Sequence, residues 1–247
     1  MLEQNYYVNV VNNLNLEISQ GKIAGHSNVF ISGRNRVTAM NAQATIWEVG
    51  GLYPWSAWDA GAAKIHVASD SASDTGKTVL ISGLDANFDL QTEVVTLNGL
   101  TGVLTTKNFI RMNSAVNIGP TTIVGNATFK YGSSSGAVIG VIKDDDGMTR
   151  MSIYTVPRGY TAFTVYGDFS VSKNEAAELN SHWRFFGGTF IDVYSVQLYQ
   201  NSFLANPPIP GALPEKTDID NRVDYTTANN TAVYSNQQLL LIDNNYL

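Results

Sequence analysis

The sequence contains no cysteine, which excludes a disulfide framework and any thiolate metal site. Histidine is nearly as scarce: His26, His66 and His182 stand far apart, and none forms the H-x-x-x-H or H-x-H spacing of a local zinc signature. Only 15% of the residues are charged. Basic side chains are thin, Arg34-Asn35-Arg36 being the densest run, and the formal net charge is -6 with a pI near 5.0. A nucleic-acid groove needs a concentrated basic surface to displace counterions, so nucleic acid is not an expected partner. No apolar run approaches the ~20 residues of a membrane-spanning helix, so a membrane is not an expected partner either. Residues 1–20 lack the basic flank and continuous apolar stretch of a signal peptide.

What the 247 residues do hold is 44% apolar side chains, 21 Gly, 12 Tyr and 10 Phe, with many Ser, Thr and Asn. A chain of this size buries about 70–75% of its unfolded surface. Its composition favours strands and turns over long helices. Residues 1–45 are rich in Asn and carry only short apolar pairs, such as Val10-Val11 and Val29-Phe30, without a sustained period. They predict an extended N-terminal arm, ordered mainly by lying on the body of the chain or on a partner. Beyond it, strand signals recur at 62–68, 78–82, 93–97, 109–115, 121–131, 137–142, 152–156, 162–172, 179–186, 189–198, 219–225 and 238–242, separated by Gly, Asp, Asn and Ser clusters. This spacing predicts an all-β fold, a jelly-roll-like β-sandwich over 46–247, divisible into two packed β subdomains at about 46–130 and 131–247. The one helical candidate, Asn174 to Leu179, is too short to be stable alone. Residues 206–214 carry four prolines in nine positions and predict an extended crossing segment outside a sheet.

Three stretches imitate chemical motifs. Asp85, Asn87 and Asp89 alternate like the opening of a calcium loop, but that loop needs Gly at position six and Glu at position twelve, where this chain has Leu90 and Thr96. Strand-like flanks make a hairpin turn the better reading. Lys143-Asp144-Asp145-Asp146-Gly147 brings three carboxylates together, yet adjacent side chains of an extended chain point to opposite faces, so the segment reads as a solvated Asp-Gly turn. Gly132-Ser133-Ser134-Ser135-Gly136 matches the G-x-S-x-G elbow of serine hydrolases. The strand-like GAVIGVI follows it instead of a helix, and His182 is the only later histidine, so it reads as a loop. No carboxylate pair is singled out as an acid and base. The expectation is a chain without catalytic residues, metal ligands or a cofactor. Trp47, Tyr53, Trp55 and Trp58 form an aromatic cluster that suits a core or subunit contact better than a sugar-stacking platform.

Taken in order, several stretches resemble a family of virion structural proteins of tailed bacteriophages that infect marine bacteria and cyanobacteria. They are Gly25-His26 and Gly33-Arg34-Asn35, then TIWEVGGLYPW (45–55), ISGLDANFDLQTEVVTLNG (81–99), NFIRMN (108–113), MSIYTVPRGYTAF (151–163), RFFGGTF (184–190), LPEKTDI (213–219) and LLLIDN (239–244). The DDDG run departs from the family, whose members tend to have a small glycine-containing turn there. The resemblance implies a non-enzymatic part of the virion, assembled in the host cytoplasm. It favours a decoration or cement protein on the capsid exterior, held by the major capsid protein and by self-association, for instance as a trimer. A tail or fibre component, either an adaptor or a binder of host glycan through the four aromatics, is the alternative. Val29, Phe30, Arg34 and Arg36 of the arm, with Trp55 and Trp58, are the candidate interface residues.

Overall fold

Short segments of alternating apolar and polar residues dominate the computed structural model, which describes residues 14–36, 43–144, 146–173, 198–201, 217–224 and 231–246. The chain is all-β. Its strands are β1 (His26–Asn35), β2 (Gln43–Thr45), β3 (Ile65–Ser69), β4 (Thr78–Leu84), β5 (Leu90–Thr96), β6 (Val103–Leu104) and β7 (Arg111–Asn117), followed by β8 (Ala127–Tyr131), β9 (Val138–Ile142), β10 (Ile153–Val156), β11 (Tyr160–Lys173), β12 (Leu198–Asn201), β13 (Thr217–Asp224) and β14 (Thr231–Asp243). A six-residue helix, α1 (Leu14–Ser19), precedes them and buries Ile18.

Sheets β6-β3-β8-β9 and β5-β4-β7 enclose the first core. Successive side chains of a strand point to opposite faces, so β3 sends Ile65 and Val67 inward and leaves His66 and Ala68 on the outside. Val79 and Ile81 of β4 meet them, with Trp58, Phe109, Met112 and Phe129 filling the space between. Each such side chain contributes roughly 1.5–3 kcal/mol when fully buried. Sheet β1-β14-β11 and sheet β10-β13-β12, with β2 added to β13, enclose a second core. There Ile31, Leu239 and Leu241 pack with Tyr154, Val156 and Ile219.

Strand β10 belongs to both cores. All four of its residues are buried; Ile153 enters the first core while Tyr154 and Val156 enter the second. Burial of every residue is what a strand with a core near each face requires, and its polar member Thr155 is satisfied by Asp218.

Two expectations change here. Residues 26–35, expected within the extended arm, form a ten-residue strand paired antiparallel with β14 from His26↔Ile242 to Asn35↔Val233. The reason is the alternation of Val29 and Ile31, which gives β1 an apolar face for the second core. The subdomain division also shifts: a cut at 130/131 would split the β8–β9 hairpin, whose register runs from Ala127↔Ile142 to Lys130↔Val138. The two cores instead part between Ile153 and Tyr154, and the second recruits β1 from the opposite end of the chain. Residues 1–13, the helical candidate at 174–179, the expected strands within 179–197 and the proline-rich 206–214 lie outside the described residues.

The Asp85 segment is the expected turn between β4 and β5. The Asp85 carboxylate accepts the backbone N–H groups of Asn87 at 2.8 Å and Asp89 at 3.0 Å. Phe88 sits at a φ of 63°, a left-handed conformation that costs an L residue about 1–2 kcal/mol. Its carbonyl accepts the Arg158 backbone N–H at 2.8 Å, which fastens the hairpin to the turn before β11.

Candidate functional site

Among the described residues, polar side chains gather at three places, each joining segments far apart in sequence. The first lies between the two cores. On β13, Ile219 points into the second core, so Asp218 and Asp220 face the other way. Asp218 meets the buried Arg111 of β7 in a two-pronged pair, Nε–Oδ1 at 3.1 Å and Nη2–Oδ2 at 3.2 Å. Arg111 Nη1 also donates to the Ile110 carbonyl at 2.7 Å, and its guanidinium lies 5.5 Å from the Trp55 ring and 5.8 Å from that of Phe88. The Thr155 hydroxyl donates to Asp218. Asp220 accepts Thr45 Oγ1 at 2.9 Å, Trp55 Nε1 at 2.8 Å and Arg222 Nε at 2.8 Å. A buried charge is tolerable only when paired and hydrogen-bonded, and both carboxylates meet that condition internally.

The aromatic cluster stands beside this seam. Trp47, Tyr53 and Trp58 are buried members of the first core, Trp58 with 2% of its surface exposed. Tyr53 packs edge-on against Trp47 at 5.1 Å and Trp55 at 4.6 Å, and its hydroxyl accepts Trp58 Nε1 at 3.3 Å. Burial pushes the Tyr53 phenol well above its ordinary pKa, so it stays neutral. Expected as an interface residue, Trp58 is interior instead, because its ring fills the space over Tyr131 at 5.1 Å. Trp55 is partly buried, and its N–H is committed to Asp220. With Trp47, Tyr53 and Trp58 enclosed, the four rings do not form a shared open platform for stacking a sugar.

The second gathering joins β1 to the β9–β10 connection. Arg34 donates to both Glu48 and Asp146. Arg150 reaches Asp146 Oδ1 at 3.1 Å and Ser32 Oγ at 3.0 Å, and Ser32 in turn donates to Asn236 Oδ1 at 3.0 Å. Arg36 Nε lies 3.2 Å from Glu48 Oε2. The expected solvated Asp-Gly turn is therefore only half observed: Asp146 N donates to the Lys143 carbonyl at 2.9 Å, as a turn requires, but the Asp146 side chain is 7% exposed and clamped by two arginines. Arg34 and Arg36 are committed to this cluster within the chain. Next to it opens a recess of about 420 Å³, bordered by Arg36, Glu48, Asn126, Lys143 and Asp144.

The third is a staple in the first sandwich. Asp74, fully enclosed, accepts Ser69 Oγ at 2.5 Å, the N–H groups of Val124 at 2.8 Å and Gly125 at 3.0 Å, and Lys77 Nζ at 2.8 Å. Burial alone would raise its pKa; the Lys77 ammonium, the Ser69 hydroxyl and the two amides outweigh burial and hold it well below the carboxylate range.

Of the remaining interface candidates, Val29 packs against the second core. Phe30 is 59% exposed on the outward face of sheet β1-β14-β11. Phe163, paired with Leu240, and Tyr234, paired with Arg34, are exposed on the same face.

Among the described residues, fold and polar clusters together define an all-β protein with two cores, whose buried carboxylates are bound by its own cations and amides. Among the described residues, no group of three His, Cys, Asp or Glu is arranged to hold a metal ion. No family model, no curated protein and no solved structure matches the chain.

Proposed function

We propose that this protein is a non-enzymatic structural subunit of a phage virion, a decoration protein that adds contact area across joints of the capsid shell. The observation that carries the reading is the outward face of sheet β1-β14-β11. There Phe30, Phe163 and Tyr234 stand exposed beside Asn28, Asn236 and Gln238, with Leu240 between them. Exposed aromatic rings within a polar surround are the usual make-up of a contact patch. The resemblance of the TIWEVGGLYPW, ISGLDANFDL and MSIYTVPRGYTAF stretches to virion structural proteins supplies the kind of assembly. A doubly cored β body with internal ion clamps suits a part that must hold its shape while neighbours pull on it.

The test is co-sedimentation of the purified chain with shells that lack it. Saturable binding on the order of hundreds of copies per particle, added resistance of the shell to heat, and loss of both with Phe30→Asp are expected. Phe30→Asp exchanges one exposed side chain for another, so its melting temperature should stay near that of the parent chain. Absence of binding would overturn the proposal, and a stoichiometry of a few copies per particle would move the protein to the tail.

A further inference from the structure

The turn between β5 and β6 holds a reactive pair of residues that the virion reading does not use. Asn98-Gly99 is the chain's only Asn-Gly sequence, and the fold requires its glycine. Gly99 stands at a φ of 55°, a left-handed conformation that favours glycine. A Cβ there would come within 2.8 Å of Thr75 Oγ1 and 3.1 Å of the Ala72 carbonyl oxygen. The missing Cβ that lets the backbone approach so closely also leaves the Gly99 amide nitrogen unshielded. The Asn98 side chain is exposed. Among the described residues, its carboxamide has no hydrogen-bond partner and the Gly99 N–H donates to none. Nucleophile and carbonyl carbon are neighbours along the chain, and neither gives up a bond to meet the other.

We propose that Asn98 is a site of spontaneous modification, converted by water to aspartate and isoaspartate in the folded protein. Gly99 N, having lost its proton to hydroxide, attacks Asn98 Cγ. The Cγ–Nδ2 bond breaks, the nitrogen leaves as ammonia with a proton from water, and a cyclic imide joins Asn98 to Gly99. Water then opens the imide at Cγ to give aspartate, or at the main-chain carbonyl to give isoaspartate. The sum is amide plus water to acid plus ammonia, and nothing is oxidised or reduced. The two products differ in how they fit. Both backbone groups of Leu97 are tied, to Lys77 and to Gly76, each at 2.8 Å, and the Gly99 carbonyl accepts the Ser69 N–H at 3.0 Å. Aspartate keeps that spacing. Isoaspartate threads the Cβ of position 98 into the main chain, one atom longer between two fixed points, and pulls Gly99 away from Ser69, whose hydroxyl donates to Asp74. The chain's only Asp-Gly pair, Asp146-Gly147, is kept from the related reaction because Arg34 and Arg150 take its carboxylate oxygens. The proposal is independent of the virion reading.

The experiment is storage of the full folded chain in mildly alkaline buffer, sampled over time by anion-exchange chromatography and by peptide mapping that separates aspartate from isoaspartate. Asn98 should convert ahead of every other asparagine, and faster as pH rises. Asn98→Gln, whose attack would close a larger ring more slowly, should lose the early acidic species. The isolated isoaspartate fraction should melt about 2–4 °C below Asn98→Asp, the shift for one lost hydrogen bond in a chain of this length. Survival of Asn98 in the folded chain, earlier conversion of another asparagine, an acidic species that forms as fast in Asn98→Gln, or equal melting of the two acidic forms would each overturn the assignment.

Discussion

Replacing Asp74 by asparagine keeps the size of the side chain and removes its charge, so it isolates what the carboxylate does. In the parent chain the two carboxylate oxygens accept one hydroxyl, two backbone amides and one ammonium, all without contact with solvent. Hydrogen bonds to a charged group are worth about 1.5–3 kcal/mol each. Asparagine retains a single acceptor oxygen and turns an N–H₂ toward donors. Lys77 is not stranded, because its ammonium also donates to the Thr122 carbonyl. That places the cost near the lower end of the roughly 3–5 kcal/mol for breaking a buried pair, at about 3 kcal/mol at pH 7. For a chain of this length the melting temperature should fall by about 6–12 °C, read by circular dichroism and tryptophan fluorescence.

The pH dependence carries a sign. The folded-state pKa of Asp74 is depressed, so its stabilisation is fully present above the unfolded value near 3.9 and is lost as pH falls through the lower folded value. The parent chain should lose stability on acidification below about pH 5, and Asp74→Asn should show a shallower decline over the same range. A loss under 1 kcal/mol at pH 7, or superimposable stability curves below pH 5, would refute the assignment of Asp74 as a charged staple.

Two further substitutions probe the other clusters. Arg111→Met should cost about 3 kcal/mol by removing the guanidinium that pairs with both oxygens of Asp218, and adding Asp218→Asn should recover part of that loss in a double-mutant cycle; strict additivity in urea denaturation would contradict the pair. Gly33→Ala should destabilise by more than about 2 kcal/mol, because a Cβ there would come within 2.5 Å of the Ile46 carbonyl oxygen and of Ser152 Cβ, where β1 crosses the Ser152–Ile46 backbone bond; a neutral effect on the melting temperature would mean that the strands can separate.

Local chemistry was the part readable from the amino acids alone. The Asp85 turn declares itself because its stabilising bonds span at most four residues, and β3, β4 and β9 follow from apolar alternation and β-branched runs. The ionic clusters were invisible for the opposite reason. Arg34 meets Asp146 across 112 residues and Arg111 meets Asp218 across 107. Nothing near Asp146 distinguishes a carboxylate that will be enclosed from one in solvent, so DDDG looked like an ordinary exposed turn. The tryptophans posed a related problem. Composition marks Trp47, Trp55 and Trp58 as important, but only the approach of β8 and β13 decides that two are interior and the third is tied to Asp220.

The pairing of β1 with β14 sets an order of events during synthesis. Ile31 cannot meet Gln237, nor Val29 meet Leu239, until some 200 further residues have left the ribosome. At about 5–20 residues per second that is a wait of roughly 10–40 s. In its later part, once Ile153 has been made, the first sandwich has everything it needs to close, from Trp47 to Ile153. The early strand, by contrast, carries an apolar face and open backbone groups with no partner yet made. A nascent chain of this protein thus holds a closed first half beside an unpaired strand until β14 is made, and another chain's β14 that arrives sooner can take the place of its own.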